Sequence, residues 1–323
     1  MKAVVCTKYG PPDVLRIQEV DMPSPKEDEV LIKIHSAAVT TAGLISRKGE
    51  PRFARVVTGF SKPKNDILGM ELAGEIVGLG SEVSSFAIGD NVFGLTGTDL
   101  GSNAEYICLS KESALTLKPE RYSFVESAAM VEGGLTALNF LKNKGRIEEG
   151  HKVLINGASG SVGTAAVQLA KHFGAEVTGV CSSSNIDLVK SLGVDYVIDY
   201  NKEDFTENGE KYDIIFDTVG SRSFLECRES LVSDGIYLDA DGIGTVFHMF
   251  WTSIFSKKKA ILSATYMRSK KELRNDLLIL KKLIDDGALK PVIDKVYGMD
   301  EIQQAHHYVE QGRKKGNVCV TIC

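Results

Sequence analysis

The apolar residues of this chain follow two rhythms. Up to about residue 118 they come in short alternating runs broken by turn residues, the pattern of half-buried strands. Val30-Leu-Ile-Lys-Ile-His-Ser36 alternates, and Glu71-Leu-Ala-Gly-Glu-Ile-Val-Gly-Leu-Gly80 carries glycines where a strand bends. Asp90-Asn-Val-Phe-Gly94 starts another strand after the Gly89-Asp90 turn. Together these runs predict a curled, partly open barrel. Ser123 to Lys144 reads as helix, with Ser123 and Glu126 at capping-box spacing. From Lys152 the rhythm changes to alternating strands and helices, the signature of a parallel sheet. Strands are predicted at 152–156, 176–181, 195–198, 212–216, 235–239 and 260–264, with helices at 161–173, 185–192 and 221–232. Right-handed crossovers would join the six strands into a doubly wound sheet. An amphipathic helix at Lys270–Gly287, a helix around Asp300–Gly312 and a strand at Asn317–Ile322 follow. The chain shows no internal repeat and no low-complexity tract.

One junction in that pattern carries chemistry. The run Lys152-Val-Leu-Ile-Asn156 stops at Gly157-Ala-Ser-Gly-Ser-Val-Gly163, which opens directly into a helix. Such a turn lets backbone N–H groups and a helix N-terminus approach a pyrophosphate. Gly157, Gly160 and Gly163 stand where side chains would obstruct the turn, the ligand and the helix–strand packing, whereas Ala158 replaces the usual first glycine of the motif. Asn156, Gly157, Ala158, Ser159, Gly160, Ser161, Val162 and Gly163 are therefore candidate cofactor contacts. In dinucleotide sites a carboxylate at the end of the second strand holds a ribose 2′-OH and repels a 2′-phosphate. Here that position falls near Cys181 and Ser182, both neutral, and Glu176 lies at the wrong end of the strand. Ser182, Ser183 and Asn185 can donate hydrogen bonds to a phosphate, although Ser184 or Asn185 could instead cap the next helix. The expectation is NADPH, with NADH possible.

Composition narrows the classes without choosing among them. The 323 residues are 43% apolar and 25% charged, with a net charge of −5, so no basic stripe for nucleic acid is expected. Six scattered cysteines and an N-terminal apolar run too short for a secretion signal suggest reduced thiols in a cytoplasmic protein. Cys319 and Cys323 fit a terminal strand better than a metal pair. The most membrane-like stretch, Ile243–Phe255, falls short of the roughly 20 residues of a spanning helix. It is expected to be core, a subunit contact or a pocket wall, and no membrane partner is expected.

The order of motifs resembles the medium-chain dehydrogenase/reductase superfamily, and within it the zinc-free quinone oxidoreductase branch. The resemblance rests on Met1-Lys-Ala-Val-Val, Pro23-Ser-Pro-Lys-Glu-Asp-Glu-Val-Leu-Ile-Lys-Ile34, Leu68-Gly-Met-Glu-Leu-Ala-Gly-Glu-Ile-Val77 and Gly89-Asp-Asn-Val92. It continues through Gly134-Leu-Thr-Ala-Leu138, the glycine turn, Ile215-Phe-Asp-Thr-Val-Gly220, Lys290-Pro-Val-Ile-Asp294 and Gly316-Asn-Val318. It implies an α/β fold: a GroES-like β-rich substrate domain at 1–118, a Rossmann dinucleotide-binding domain at 119–266, and a segment at 267–323 returning to the substrate domain. It further implies that Thr136 faces the nicotinamide, that Tyr200 lies near the adenine phosphate, and that Gly220, Gly316 and Asn317 lie near the cofactor. A homodimer joined at the sheet edge after 260–264 is implied as well, with the active cleft between the two domains.

Zinc-dependent members of the superfamily place catalytic ligands at positions that fall here on Thr40, Met70 and near Glu132. One oxygen ligand does not make a zinc site, which wants three protein ligands and an open position. No metal is expected. Without a Lewis acid worth several kcal/mol, saturated ketones would be poor substrates. Hydride delivered to a quinone or an α,β-unsaturated carbonyl instead leaves delocalised charge that hydrogen bonds can stabilise. The expected activity is therefore metal-free reduction of a quinone or enone, with Thr40 and Thr136 as candidate catalytic hydroxyls. An enoyl-thioester reductase and a catalytically silent NADPH-binding scaffold or sensor are the alternatives. Two departures keep the scaffold open. Thr40-Thr41 replaces the Asn-Pro usual in the branch, and no tyrosine stands near Glu50–Arg52. Lys314, Lys315 and the pair His306-His307 are expected at the surface.

Overall fold

A computed structural model describes residues 1–52, 55–240 and 245–323. The chain divides into two compact units. The first comprises Met1–Glu132, Tyr266–Lys282 and Pro291–Cys323; the second comprises Gly133–Thr265 and Leu283–Lys290.

The first unit is built on a seven-stranded mixed sheet. Its strands are β3 (Glu29–Ala38), β4 (Glu71–Leu79), β5 (Asn91–Leu95), β6 (Tyr106–Ser110), β7 (Ala114–Leu117), β14 (Ile293–Gly298) and β15 (Asn317–Thr321). Their order is β14-β15-β3-β4-β5-β7, with β6 also paired to β3, and only β14–β15 is parallel. β1 (Lys2–Val5) and β2 (Arg16–Glu19) form a separate two-stranded sheet, tied to the unit by the bridges Ala3–Ala104 and Val5–Ile67. The β3–β4 register slips between Leu31 and Ile32 and between Ile34 and Ser36, opposite Gly78 and Gly74, so the strand glycines mark bends as expected. Val30, Ile32, Ile34, Leu72, Ile76 and Val92 form one core cluster of the unit.

Two helices of this unit were not predicted, α1 (Thr41–Lys48) and α2 (Arg55–Thr58). Thr40 is the N-cap of α1, its hydroxyl oxygen accepting from the Gly43 N–H at 3.3 Å. Farther along, α3 (Phe124–Ala129) has the predicted capping box of Ser123 and Glu126, and α4 (Val131–Leu138) runs on into one π-helical turn at 139–144.

In the second unit six parallel strands stand in the order β10-β9-β8-β11-β12-β13. They are β8 (Lys152–Asn156), β9 (Glu176–Cys181), β10 (Tyr196–Asp199), β11 (Tyr212–Asp217), β12 (Leu231–Asp239) and β13 (Lys259–Leu262). The helices are α5 (Ser161–His172), α6 (Ile186–Ser191), α7 (Phe224–Cys227) and α8 (Thr245–Phe255). The first strand, β8, has β9 on one side and β11 on the other, so the sheet reverses direction there. That switch point is where open α/β sheets bind ligands.

The helix predicted at 221–232 is wrong in extent. It is one α-turn, capped by Ser223 and Glu226, and a 3₁₀ turn to Ser230. Leu231 is already extended and pairs with Tyr212 before the register breaks and resumes at Ile236 opposite Ile214. Burial of Leu231 against the sheet overrides the helical spacing. In the tail, α9 (Lys270–Asp285) and α10 (Ile302–Glu310) match their predicted positions, and β14 was missed.

Two expected surface groups are not at the surface. His306 is 2% exposed, and its pKa is pushed down to about 3, first by burial and then by the Arg47 guanidinium. Lys314 is half-buried, its ammonium donating to the Gly316 carbonyl at 2.8 Å. Of the readings for 243–255, core is the one the structure overturns. Residues 243 and 244 lie outside the described residues, but α8 turns its large apolar side chains outward rather than into a core, with Phe247 75% and Ile254 73% exposed.

Candidate active site

At the C-terminal end of β8 the chain turns through Gly157, whose φ of +84° lies in the region that favours glycine. A Cβ on Gly163 would lie 2.1 Å from the Gly157 carbonyl oxygen, so this glycine is required by the packing of α5 on the turn. Gly160 differs. A Cβ there would meet nothing nearer than the Gly157 oxygen at 3.5 Å, and as N-cap of α5 it brings no side chain to the first helical amides. The turn thus leaves open space above an uncapped helix N-terminus, a cradle suited to a pyrophosphate.

The floor of the cradle is tied to the next crossover. Asp217, fully buried at the end of β11, accepts from the Val219 and Gly220 N–H groups on one oxygen and from the Arg222 N–H on the other. The Asn156 amide also donates to Asp217 at 3.2 Å and to the Ser221 hydroxyl at 2.9 Å, and the Thr218 hydroxyl donates to the Asn156 carbonyl at 2.8 Å. Burial raises the Asp217 carboxyl above the usual range although three amides work against it. Gly220, with φ +69°, ends the hydrogen-bonded turn.

The loop after β9 closes one side of the cradle. The Asn185 amide donates to the Ser159 hydroxyl at 3.0 Å, so Asn185 braces the glycine turn and makes no side-chain cap for α6. Cys181 is buried and its thiol is pushed up to about 11 by burial, so its side chain is not presented to the loop surface. Ser182 bonds Ser184, whereas Ser183 donates to the Asp199 carboxylate at 2.5 Å. Sequence reasoning missed Asp199. It supplies a negative charge beside the expected phosphate position, partly balanced by Lys202 at 3.6 Å. The Ser183 hydroxyl is therefore engaged rather than poised for a phosphate. Tyr200, next in sequence, is 60% exposed.

A second polar group lies within the first unit. Glu71, at the start of β4, is 1% exposed, and its carboxylate has no side-chain hydrogen-bond partner among the described residues. Burial, then the nearby Glu132 charge, raises its carboxyl well above the ordinary range, against the Glu71 and Met70 backbone amides and then Lys314. Met70 and Thr40 are buried too. Gly316 has φ +66°, and the Asn317 side chain donates to the Val292 carbonyl at 3.0 Å. Thr136 is half-buried on α4. Glu71 was present in the quoted motif, but its burial without a side-chain hydrogen-bond partner is a tertiary fact.

A thioether, an N-cap hydroxyl and one carboxylate at Met70, Thr40 and Glu132 are not a zinc donor set. Among the described residues no group of three or more His, Cys, Asp or Glu could hold a metal.

A glycine cradle at the switch point of a six-stranded parallel sheet, in a chain whose other unit is a mixed β-sheet, defines a pyridine-nucleotide-dependent dehydrogenase/reductase. Comparison with known proteins agrees. Residues 26–120 match the alcohol dehydrogenase GroES-like domain and residues 192–320 the family described as zinc-binding dehydrogenase. A 2-methylene-furan-3-one reductase of Solanum lycopersicum is 33% identical over 99% of this chain and 79% of its own. An NADPH-dependent alkenal/one oxidoreductase, chloroplastic, of Arabidopsis thaliana is 30% identical over the same shares, 99% and 79%. The solved quinone oxidoreductase of Coxiella burnetii superposes with a TM-score of 0.88 at 29% identity, over 100% of this chain and 99% of its own. The chain belongs to the medium-chain dehydrogenase/reductase superfamily, in its zinc-free quinone oxidoreductase-like branch.

Proposed function

We propose that this chain is a metal-free, NADPH-dependent reductase of quinones or α,β-unsaturated carbonyls. The observation that carries the proposal is the cradle at 157–163: a glycine turn with open space at Gly160 above an uncapped helix, in a chain whose family's metal positions hold Thr40 and Met70. When bound, the nicotinamide would supply a hydride. The N–H groups at the start of α5 would hold the pyrophosphate, while Asp217, Asn156 and Thr218 keep the cradle rigid. Ser182, Ser183, Asn185 and Tyr200 would line the adenosine end, and Gly316 and Asn317 would lie near the cofactor.

The acceptor side rests on hydroxyls. The Thr40 oxygen accepts from the Gly43 amide, which leaves its own proton available to donate to a carbonyl oxygen. Thr136 is proposed to act beside the nicotinamide. Hydrogen bonds of this kind suffice for an enolate or hydroquinone, whose charge is spread, but not for a saturated alkoxide. Reduction of conjugated acceptors by the tomato and Arabidopsis relatives supports that choice. We further propose a cytoplasmic homodimer, supported by six free thiols and by the outer edge of β13, which has no strand partner among the described residues.

Steady oxidation of NADPH in the presence of 9,10-phenanthrenequinone or an alkenal is the expected result. Tight NADPH binding with no turnover on either acceptor would overturn the proposal in favour of a nucleotide-binding scaffold.

A further inference from the structure

Glu71 lies under a helix in the middle of a sheet, where burial disfavours a charge. Leu72 pairs with Ala37 and Glu71 with Leu95, so continuing the β3–β4 register by one residue sets Glu71 opposite Ala38. Ala38 in turn pairs with Cys319. Lateral neighbours share a face of a sheet, and the face of this row is the one under α3. That helix packs on β3, β4 and β15, and the Cys319 thiol donates to the Val125 carbonyl at 3.7 Å. Thr40 stands two residues beyond Ala38, and the backbone stays extended to it. The Val39 N–H donates to the Val318 carbonyl at 2.8 Å, and Thr40 has φ −117° and ψ 165°. Thr40 is therefore on the Glu71 face as its diagonal neighbour, a placement of roughly 7–8 Å that long side chains bridge. The Met70 and Glu71 amides act on the Glu71 carboxyl, so this side chain folds back along β4 towards Gly69. In an antiparallel pair that is the direction of Thr40.

The surroundings of Glu71 favour a held proton. Glu132 acts on it from the start of α4, and Lys314 from the loop before β15. Those two carboxyls share one ammonium, so the charges balance when one carboxyl stays neutral, and burial assigns that proton to Glu71. Lys314 is also drawn by Asp294 and by Cys319, whose thiol burial pushes up to about 12. Cys319 thus keeps its own proton at neutral pH. The buried face of α3 brings only Ser127, Ala128 and Ala129, none of them titratable, and β5 brings Leu95. His35 also meets α3, stacked on Phe124 with ring centroids 4.3 Å apart. A neutral carboxyl with no side-chain partner among the described residues is a proton donor without a recipient.

We propose that Glu71 supplies, through the Thr40 hydroxyl, the proton that completes reduction of the acceptor. This role rests on the reductase reading above. Thr40 has the valence for it: its oxygen takes the Gly43 N–H on one lone pair, can take the Glu71 proton on the other, and gives its own proton onward. With an enone, the β-carbon takes the hydride of NADPH with its electron pair, leaving NADP⁺, and the alkene π pair moves to make the enolate. The enolate oxygen then takes the Thr40 proton as Thr40 takes the Glu71 proton, across a single hydrogen bond or one water. The enol returns to the saturated carbonyl in water, and solvent restores the proton on the Glu71 carboxylate. Glu71 acts through Thr40 and does not itself touch the acceptor.

NADPH oxidation with an alkenal, followed across pH, tests the relay. The kcat of the parent should fall as pH rises through the folded-state pKa of Glu71, because only the neutral carboxyl gives a proton. Glu71→Gln should be about a hundredfold slower and lose that limb of the profile, with KM for NADPH unchanged. Thr40→Val should match it, Thr40→Ser should keep the parent's profile, and Glu71→Gln/Thr40→Val should cost little more than either change alone. A second readout needs no turnover. The infrared spectrum of the cofactor-free parent should hold a neutral-acid C=O band that outlasts those of exposed carboxyls as pH rises, and Glu71→Gln should lack it. Should Glu71→Gln melt below the parent, Thr40→Val against Thr40→Ser decides in its place. A parent spectrum without the band, or a Glu71→Gln protein with the parent's rate and profile, overturns the relay alone. A parent that binds NADPH and reduces neither alkenal nor quinone overturns the reductase reading and the relay with it.

Discussion

Ser183 donates its hydroxyl proton to Asp199 at 2.5 Å, linking the loop after β9 to the end of β10. That bond, with the Asn201 donors and Lys202 and against a smaller effect of burial, holds the Asp199 carboxyl below its usual range. It stays charged at neutral pH and stands opposite Cys181 in the register of β9 and β10, beside the position proposed for a 2′-phosphate. Asp199→Asn should therefore raise the ratio of kcat/KM for NADPH over NADH by about three- to tenfold, the worth of one like charge several ångströms away in solvent-screened surroundings. Measuring both cofactors with one quinone decides this. An unchanged ratio removes Asp199 from cofactor choice.

Gly163 and Gly160 of the turn should separate in experiment. Gly163→Ala forces a carbon to 2.1 Å from the Gly157 oxygen and is expected to lower stability outright. Gly160→Ala meets only ordinary contact at 3.5 Å and should fold, but it fills the space above the helix N-terminus. Its NADPH dissociation constant should rise about tenfold or more while the melting temperature stays close to the parent's. Equal affinity for the two proteins would mean that the pyrophosphate does not approach this turn.

Glu71 imposes a pH dependence on the first unit. Its folded-state pKa lies well above the ordinary value of 4.5 because the carboxyl is buried and near Glu132. The stability linked to its proton is complete below that value and is lost as pH rises towards the folded-state pKa. Glu71→Gln should melt higher than the parent above about pH 5, with a gap that widens towards neutrality. A constant gap would show that the carboxyl ionises normally.

Arg47 is wholly buried, paired with Glu310 and hydrogen-bonded to the Gly10 carbonyl at 2.5 Å, so α1 and α10 meet across a charge. Burial alone would raise the Glu310 carboxyl, but hydrogen bonds from Lys48 and Arg47 hold it low. Stability from this pair is present above the ordinary carboxyl range and lost in acid. His306 acts in the same direction, because as pH falls from 6.5 towards about 3 the unfolded chain takes up a proton that the folded chain refuses. Glu310→Ala should cost about 3 kcal/mol in urea denaturation at neutral pH, because it leaves a buried guanidinium with less compensation. A cost within experimental error would mean that the Gly10 carbonyl and water satisfy Arg47 alone.

Much of the molecule is legible in its sequence, for local reasons. The parallel strands from Lys152 to Asp217 follow from short β-branched runs between turn residues, and the capping box at Ser123 follows from a spacing of three. Gly157 and Gly163 are readable because their constraints are steric and lie within seven residues. The same locality explains the failures. The helix at α7 obeyed its spacing for one turn until burial of Leu231 on a distant strand took over. His306 looked like a surface residue because its neighbours in sequence are polar. Its neighbour in space is Arg47.

Sequence by itself determined the doubly wound sheet and the glycine cradle, because each depends on residue types a few positions apart, while the resemblance to the family placed Thr40 and Met70 where zinc ligands would stand. Tertiary structure decided three other matters. It set a carboxylate beside the expected phosphate position, buried Glu71 without a side-chain hydrogen-bond partner, and turned the apolar stripe of α8 to the outside. None of the three can be read from periodicity. Spacing fixes which residues share a face, and only packing settles whether that face meets a core, a charge or the solvent.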